Sequence, residues 1–196
     1  MKATLLKPLY DRAIGGLPLM GTPADVARRF APAGAEDAPA ADRIVAFYTG
    51  LGGATGFVCG LPGFLLMPVT LPANLAGVAL IQLHMSATFA HLGGHDLHDP
   101  ATRDRCIRCL LEKIDAPGRN TEEEEAASRV SVKLLERGVR LVLEQTTRLA
   151  GKAARSYALR KLGARRIPLF GGILGAGSDA YVTAHVGRCA RAEFLG

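Results

Sequence analysis

The longest apolar pattern in this chain covers residues 44–83, which contain no Asp, Glu, Lys, Arg or His. Three prolines and a glycine within 61–72 divide it, because proline interrupts a regular helix. The pattern predicts a helix over about 42–60, a proline-rich connection, and a second helix over about 72–92. The first of these would be about 28 Å long, so its length permits a membrane hairpin.

Polar residues in the second helix favour a protein environment for this hairpin. Its polar side chains fall on several sides of the helix, and protein partners can satisfy them with hydrogen bonds whereas lipid cannot. A buried core hairpin is therefore favoured, and insertion of its tip into lipid stays open. Glycines at four-residue intervals let another helix approach to backbone contact. The predicted glycine faces, which we expect to contact each other, are Gly52, Gly56 and Gly60, and Gly171 and Gly175.

Capping residues predict four further helices. Thr22, Pro23 and Asp25 form a typical helix start, and Asp99-Pro100 repeats the device. Four glutamates directly after Thr121 favour the positive end of a helix dipole and open a long amphipathic helix. The predicted spans are about 23–31, about 100–114, a long helix from 121, and about 178–194 with Ser178 and Asp179 at its cap.

Together these signals predict a single all-α domain over residues 1–196. Strand patterns are nearly absent, and the length suits one ordinary domain. We expect the glycine- and proline-rich apolar hairpin to pack with the long amphipathic helix and with the C-terminal helix. Residues 1–41 are predicted to form an N-terminal helical extension that ends in a Pro/Ala-rich loop at 32–41.

Charge is concentrated in the second half of the chain. The chain is 48% hydrophobic with a mean hydropathy of +0.16, but its charged fraction of 21% is too high for a polytopic membrane protein. Residues 145–166 carry seven basic residues and no acid, which suits an anionic surface or, alternatively, a solvated helix face. Nucleic acid is not expected, because Tyr157 is the single aromatic in this run. The seven residues are Arg148, Lys152, Arg155, Arg160, Lys161, Arg165 and Arg166.

The N-terminus and the cysteines both indicate a cytoplasmic protein. Lys7, Pro8 and Asp11 interrupt the N-terminal apolar residues, so no signal-peptide core is predicted. The four cysteines are expected to be reduced thiols, because a chain of this length does not need a disulfide framework. A peripheral position at the inner face of the cell membrane is compatible with this compartment.

Two residue clusters could carry chemistry, and both have a simpler structural interpretation. Imidazoles and carboxylates between His91 and Asp99 are ordinary zinc or iron ligands, but the glycines at 93 and 94 favour a helix end there. Cys106-x-x-Cys109 has no second such pair and lies on a predicted helix, which favours buried core thiols. We predict no catalytic residue and no cofactor. The weak metal-ligand candidates are His91, His95, Asp96 and His98, and His84 is interpreted as a buried, hydrogen-bonded histidine.

Two segments resemble the EcsC-like protein family. Residues 44–105 include TGFVCGLPGFLLMPVTLPANLAGVALIQLHMSATFAHLGGHDLHDPATR, which is similar to the family's glycine-rich stretch, proline-bounded turn and long helix. Residues 167–194 resemble its closing segment of a Pro-x-x-Gly-Gly run and a helix. The family has no established biochemical activity, and its founding member is encoded beside the components of an ABC transporter. The resemblance implies a membrane-associated role, and the positions that match are Pro68, Pro72, Asn74, Gly94, Asp96 and Asp179.

Three functions remain as hypotheses. The first is a non-enzymatic binding or scaffold domain that docks on an anionic membrane surface or on a membrane-protein complex. In the second, the hairpin lines a cavity that carries a lipid or other apolar ligand. The third is a metal-dependent enzyme that uses His91, His95 and Asp96. The sequence leans against an enzyme and does not define the oligomeric state.

Overall fold

A computed structural model of the chain describes residues 2–32, 37–60, 67–111 and 169–196. The regular secondary structure in these ranges is entirely α-helical, which confirms the predicted all-α fold class. Buried side chains from every described helix form one hydrophobic core. The helices are α1 (Lys2–Ile14), α2 (Pro23–Phe30), α3 (Asp37–Gly60), α4 (Met67–Leu92), α5 (Pro100–Leu111) and α6 (Leu169–Leu195).

Helix α4 lies at the centre of the described part of the chain. It contacts each of the other five helices, and its residues 81–90 are all buried. A helix that is surrounded by protein does not need a polar face. This position explains why the α4 sequence contains no Asp, Glu, Lys or Arg and has no separate polar face.

Helix α3 packs against α6 in the antiparallel direction. Asp42 near the start of α3 forms an ion pair with Arg191 near the end of α6. Gly56 near the end of α3 lies against Gly175 in the first half of α6. The hydrogen bonds of α4, described below, place that helix antiparallel to α3 and parallel to α6. The ends of these three long helices therefore form two distinct ends of the molecule.

Helix α1, which the sequence analysis does not specify, is part of the core. Leu6, Leu9, Tyr10 and Ala13 are buried and lie on one helical face. This face packs against α4 and α5, and the Tyr10 hydroxyl donates a hydrogen bond of 2.9 Å to the carbonyl oxygen of Leu97. The N-terminal residues are thus integrated into the fold, whereas the sequence predicted an extension.

The predicted start of α2 is confirmed in detail. The Thr22 hydroxyl accepts a hydrogen bond from the Asp25 backbone N–H at 3.3 Å, and the Asp25 carboxylate accepts one from the Thr22 backbone N–H at 2.8 Å. Pro23 occupies the first turn. The bonds from Thr22 lower the pKa of Asp25 to about 2.

The starts predicted for the two hairpin helices are wrong by more than one helical turn, whereas the predicted ends at about 60 and about 92 are confirmed. The Pro/Ala-rich loop predicted at 32–41 is also wrong in part, because the chain is helical from Asp37 onward. Helix α3 begins at Asp37 and α4 begins at Met67, each about five residues earlier than predicted. Proline is tolerated in the first turn of a helix, where the missing N–H has no intrahelical partner, and Pro68 lies there. Pro72 lies inside α4 and is buried. Tertiary packing therefore offsets the hydrogen bond that Pro72 cannot donate.

The cap predicted for the last helix is also wrong. Helix α6 begins at Leu169, so Ser178 and Asp179 lie within it. The Asp179 carboxylate accepts a hydrogen bond from the Asn74 side chain on α4, at 2.8 Å. A tertiary contact thus uses the side chain that the sequence assigned to a cap.

Two sequence predictions lie outside the described residues. They are the long amphipathic helix that opens after Thr121, and the basic run 145–166 that contains Arg148, Lys152, Arg155, Arg160, Lys161, Arg165 and Arg166. Both stay predictions.

Candidate functional site

Helices α3 and α6 come to backbone contact at two of the predicted glycines. A Cβ atom built on Gly175 would lie 2.6 Å from the carbonyl oxygen of Gly56, and one built on Gly56 would lie still closer to the carbonyl of Gly175. At Gly52 the same atom would lie 2.5 Å from the Thr183 hydroxyl. The glycines thus let the two helices pack without intervening side chains.

The remaining two predicted glycines lie one turn further along the same pair of helices. Gly60 is the last residue of α3, and Gly171 lies in the first turn of α6. In the antiparallel register set by Gly56 and Gly175, positions 60 and 171 fall opposite each other. The two predicted glycine faces, one on α3 and one on α6, therefore lie opposite each other.

Polar side chains cross from α4 to α6 beside this glycine contact. Asn74 donates to the Asp179 carboxylate at 2.8 Å, and Gln82 donates to the Thr183 hydroxyl at 3.1 Å. Gln82 and Thr183 are buried, and the Oδ1 atom of Asn74 is buried without a hydrogen-bond partner among the described residues. Because a buried polar group is costly to leave unpaired, these two bonds fix the register between α4 and α6.

A second buried polar cluster surrounds His84 on α4. The Nε2 atom of His84 donates to the Gly21 carbonyl oxygen at 3.1 Å, so Nδ1 accepts from the Tyr48 hydroxyl at 2.5 Å. The Tyr48 hydroxyl also lies 2.9 Å from the hydroxyl of Thr88. Burial lowers the pKa of His84, opposed by its bond to Gly21, and burial raises the pKa of the Tyr48 phenol. His84 is thus a neutral interior histidine, as the sequence indicated.

We expect His84 to make the protein less stable at mildly acidic pH. Its folded-state pKa lies below the ordinary 6.5, so the unfolded chain takes up the proton first as pH falls. The free energy of unfolding should therefore decrease below pH 6.5, by at most about 1.4 kcal/mol per pH unit for one proton. Urea unfolding at a series of pH values measures this slope.

The variant His84→Gln should flatten that slope between pH 6.5 and the folded-state pKa of His84. His91→Gln is the matched control, because His91 lies on the same helix and is exposed. Parallel wild-type and His84→Gln curves over this range would contradict the role of His84.

The four metal-ligand candidates occupy a helix end and the turn after it. Gly94 adopts a φ of +76°, its N–H donates to His91 and the N–H of His95 donates to Ala90, which is a typical helix C-terminus. The Asp96 carboxylate accepts from the backbone N–H of His98 at 2.9 Å. Among the residues that the structure describes, no three His, Cys, Asp or Glu side chains are placed to share a metal ion.

One end of the described part of the chain carries no charged side chain on its three long helices other than Asp179, which borders it, is partly buried and is hydrogen-bonded to Asn74. It comprises residues 50–60 of α3, 67–82 of α4 and 169–178 of α6, which we call the charge-free end. The opposite end is rich in ion pairs such as Asp42–Arg191 and Arg105–Glu193. Within the described residues, the charged side chains of the long helices are therefore concentrated towards one end.

Large apolar side chains are exposed at the charge-free end. Val58 is 62% exposed, Ile173 is 60% exposed and Leu174 is 74% exposed. Tyr181, about two turns further along α6, is 66% exposed. The exposed positions of α3 in the three turns before Val58 are Ala46, Gly50 and Ala54, which are small and uncharged. Exposed apolar surface is typical of sites of protein or membrane contact, and these side chains are the candidates for such a contact.

Helix α4 has the composition of a membrane span but lies inside the protein. The segment Asn74–Leu92 is the stretch in the described ranges that is long and apolar enough, with a mean hydropathy of 1.3. Within this segment, 72% of the 18-residue apolar stretch is buried by the rest of the chain. The central helix of a folded domain has the same composition, so this measure alone does not indicate a span.

The apolar region is evident from the sequence, but the side chains exposed at the charge-free end are not. Ile173, Leu174 and Val58 lie in charge-free stretches without a period that separates an inner from an outer face. Tyr48 was also missed, because nothing in its local sequence indicates a bond to a histidine on another helix. The basic run 145–166, directly before the apolar start of α6, is the sequence feature that could have indicated an exposed contact surface there.

Models of known protein families, curated protein sequences and solved structures were compared with this chain, and none of them matches. The resemblance of residues 44–105 and 167–194 to the EcsC-like family stays a prediction. What the fold defines is a helical domain with a glycine-packed interior and an uncharged, apolar end.

Proposed function

We propose that this protein is a non-enzymatic helical domain that attaches peripherally to an anionic membrane through its charge-free end. The observation that carries the proposal is the exposure of Val58, Ile173 and Leu174 in a region whose one charged side chain among the described residues, Asp179, is partly buried and bonded to Asn74. Water-exposed apolar side chains of this size gain free energy when a lipid interface covers them.

The expected gain suits reversible attachment. Full burial of one such side chain contributes about 1.5–3 kcal/mol, and these three are already covered in part. Together they would supply a few kcal/mol, which is less than a membrane-spanning helix supplies. Lipid attachment of this strength needs a second contribution to be stable.

The basic run supplies that contribution in the proposal. Its last residue, Arg166, precedes the start of α6 at Leu169 by three positions, so it is tethered to the charge-free end. Each Lys or Arg near an anionic bilayer contributes about 1 kcal/mol at moderate ionic strength. Charge complementarity therefore favours anionic lipid over a second copy of this basic chain as the partner.

The EcsC-like resemblance is compatible with the same role. Its implied link to a membrane transporter would place the domain at the inner face of the cell membrane, docked on lipid or on a membrane-protein complex. The matching positions Asn74 and Asp179 hold α4 and α6 together at the charge-free end. In this proposal they maintain the surface and do not react with a ligand.

Liposome co-sedimentation tests the proposal directly. Purified protein is mixed with vesicles of phosphatidylcholine alone or with added phosphatidylserine, at low and high salt. We expect strong binding to the anionic vesicles that weakens as salt screens the charges. Equal pelleting with and without vesicles under all four conditions would overturn the proposal.

Charge reversal in the basic run separates its contribution from that of the apolar end. The variant Arg165→Glu with Arg166→Glu should weaken binding to anionic vesicles by at least about tenfold, from roughly 1 kcal/mol per lost charge. Its residual binding to neutral vesicles should match that of the wild type. Unchanged anionic binding would remove the basic run from the mechanism.

A further inference from the structure

Two of the four cysteines, Cys109 and Cys189, meet where α5 packs against α6, and Cys106 lies one turn before Cys109 on α5. Cys106 and Cys109 are buried on α5, and Cys189 is partly buried on α6. The Cys189 sulfur lies 2.7 Å from the Cys109 sulfur, although the two residues are 80 positions apart in sequence. Cys59 lies near the end of α3, at the charge-free end.

From this geometry we propose that Cys109 and Cys189 form a reversible disulfide site, oxidised by a low-molecular-weight disulfide such as oxidised glutathione. A disulfide bond joins sulfurs at about 2.05 Å, so the two side chains need to approach by less than one ångström. The fold, and not the local sequence, brings the two thiols together. Cysteines that pair reversibly in a reducing compartment are typical of redox-sensing sites.

The partial exposure of Cys189 gives the reaction an order. The Cys189 thiolate attacks one sulfur of the small disulfide, forms a mixed disulfide and releases one small thiolate. Cys109, as its thiolate, then attacks the Cys189 sulfur and releases the second small thiolate. The two protons lost by the cysteines leave on the two small thiols. The protein pair is oxidised by two electrons, and the small disulfide is reduced.

Cys106 is held out of this exchange. Its side chain is fully buried and hydrogen-bonded to Tyr10, and burial raises the pKa of Cys106 to about 12. A thiol in that state offers almost no thiolate near neutral pH. Cys109 is also buried, but its sulfur lies against Cys189 whereas the Cys106 thiol is bonded to Tyr10 on α1, so the fold directs the disulfide to Cys109 and Cys189.

The bond would tie α5 to the second half of α6. These helices are already joined by the ion pair of Arg105 with Glu193, at 2.7 Å, and by the Arg105 guanidinium, 4.6 Å from the centre of the Phe194 ring. The covalent loop would enclose residues 110–188, including the basic run 145–166. Oxidation would thus tether both flanks of that segment, whether or not the protein binds lipid.

Peptide mapping of the intact, full-length protein tests the site. After incubation with oxidised glutathione, non-reduced digestion and mass spectrometry should show one peptide pair linked through Cys109 and Cys189, which dithiothreitol then separates. The thermal midpoint of the linked protein should rise by about 5–10 °C, because the bond restricts the unfolded chain.

Cysteine variants provide matched controls. Cys189→Ser should abolish both the linked peptide and the rise in the thermal midpoint, whereas Cys59→Ser should preserve both. A Cys106–Cys109 link, or persistent mixed disulfides without a Cys109–Cys189 link, would overturn the inference. Mapping of the wild type decides the matter even where a variant fails to fold.

Discussion

Replacing Gly56 with leucine should reduce the free energy of unfolding by more than about 4 kcal/mol, a large part of the stability of an ordinary domain. A side chain at this position meets the Gly175 backbone of α6 and the Asp179 carboxylate, whose oxygen would lie 2.5 Å from the new Cβ. A backbone cannot rotate away as a flexible side chain can. The helices would have to separate, and the bond between Asn74 and Asp179 would break.

The matched control is Gly50→Leu on the same helix. A Cβ at Gly50 would have no atom within 4 Å, so this variant should change stability by less than about 1 kcal/mol, in the stabilising direction because leucine favours helix more than glycine does. Urea unfolding followed by circular dichroism measures both variants. Similar losses at positions 50 and 56 would show that the close contact of α3 with α6 does not limit stability.

The alanine pair gives a finer measure of the same contact. Gly50→Ala should stabilise the protein by about 0.5–1 kcal/mol through helix propensity. Gly56→Ala gains the same propensity but adds an overlap with the Gly175 carbonyl, so it should be destabilising by about 1–3 kcal/mol. The two substitutions are chemically identical, so opposite signs of the change in the free energy of unfolding isolate the contribution of packing between α3 and α6.

Local chemistry explains which parts of this fold could be predicted from sequence. The α2 start was predictable because Thr22, Pro23 and Asp25 satisfy backbone groups within four residues. The end of α4 was predictable because Gly94 adopts a positive φ that favours glycine. These signals need no information about distant residues.

The missed features depend on contacts that are distant in sequence. Helix α6 continues through several glycines because it packs on α3, and Asp179 faces Asn74 and does not cap the helix. Helix α1 depends on burial of Leu6 and Tyr10 against α4 and α5. Tertiary contacts of this kind override local propensity, which is a weak guide by itself.

The candidate surface was only partly predictable for the same reason. Absence of charge from residues 44–83 identifies the apolar region, but not which side chains face outward. That choice depends on the central position of α4, which buries its own residues and leaves α3 and α6 at the surface. Exposure of Ile173 and Leu174 is therefore a property of the assembled helices.

Replacing Leu174 with aspartate should weaken binding to anionic vesicles by about ten- to a hundredfold. The change removes one exposed apolar side chain from the lipid contact, worth about 1.5–3 kcal/mol when fully buried, and adds a charge that the anionic surface repels. Because Leu174 is 74% exposed, the substitution should leave the thermal midpoint nearly unchanged. Loss of binding would then report the surface and not unfolding.

Leu195→Asp is the matched control at the opposite end of the same helix. Leu195 is also surface-exposed, at 36%, and lies about 30 Å from Leu174 along a helix with a rise of 1.5 Å per residue. It should change vesicle affinity by less than about twofold, which corresponds to under about 0.5 kcal/mol. Equal losses from both leucines would mean that added negative charge alone weakens binding. A loss confined to Leu174 would assign lipid contact to the charge-free end, because the two variants carry the same charge and differ only in position.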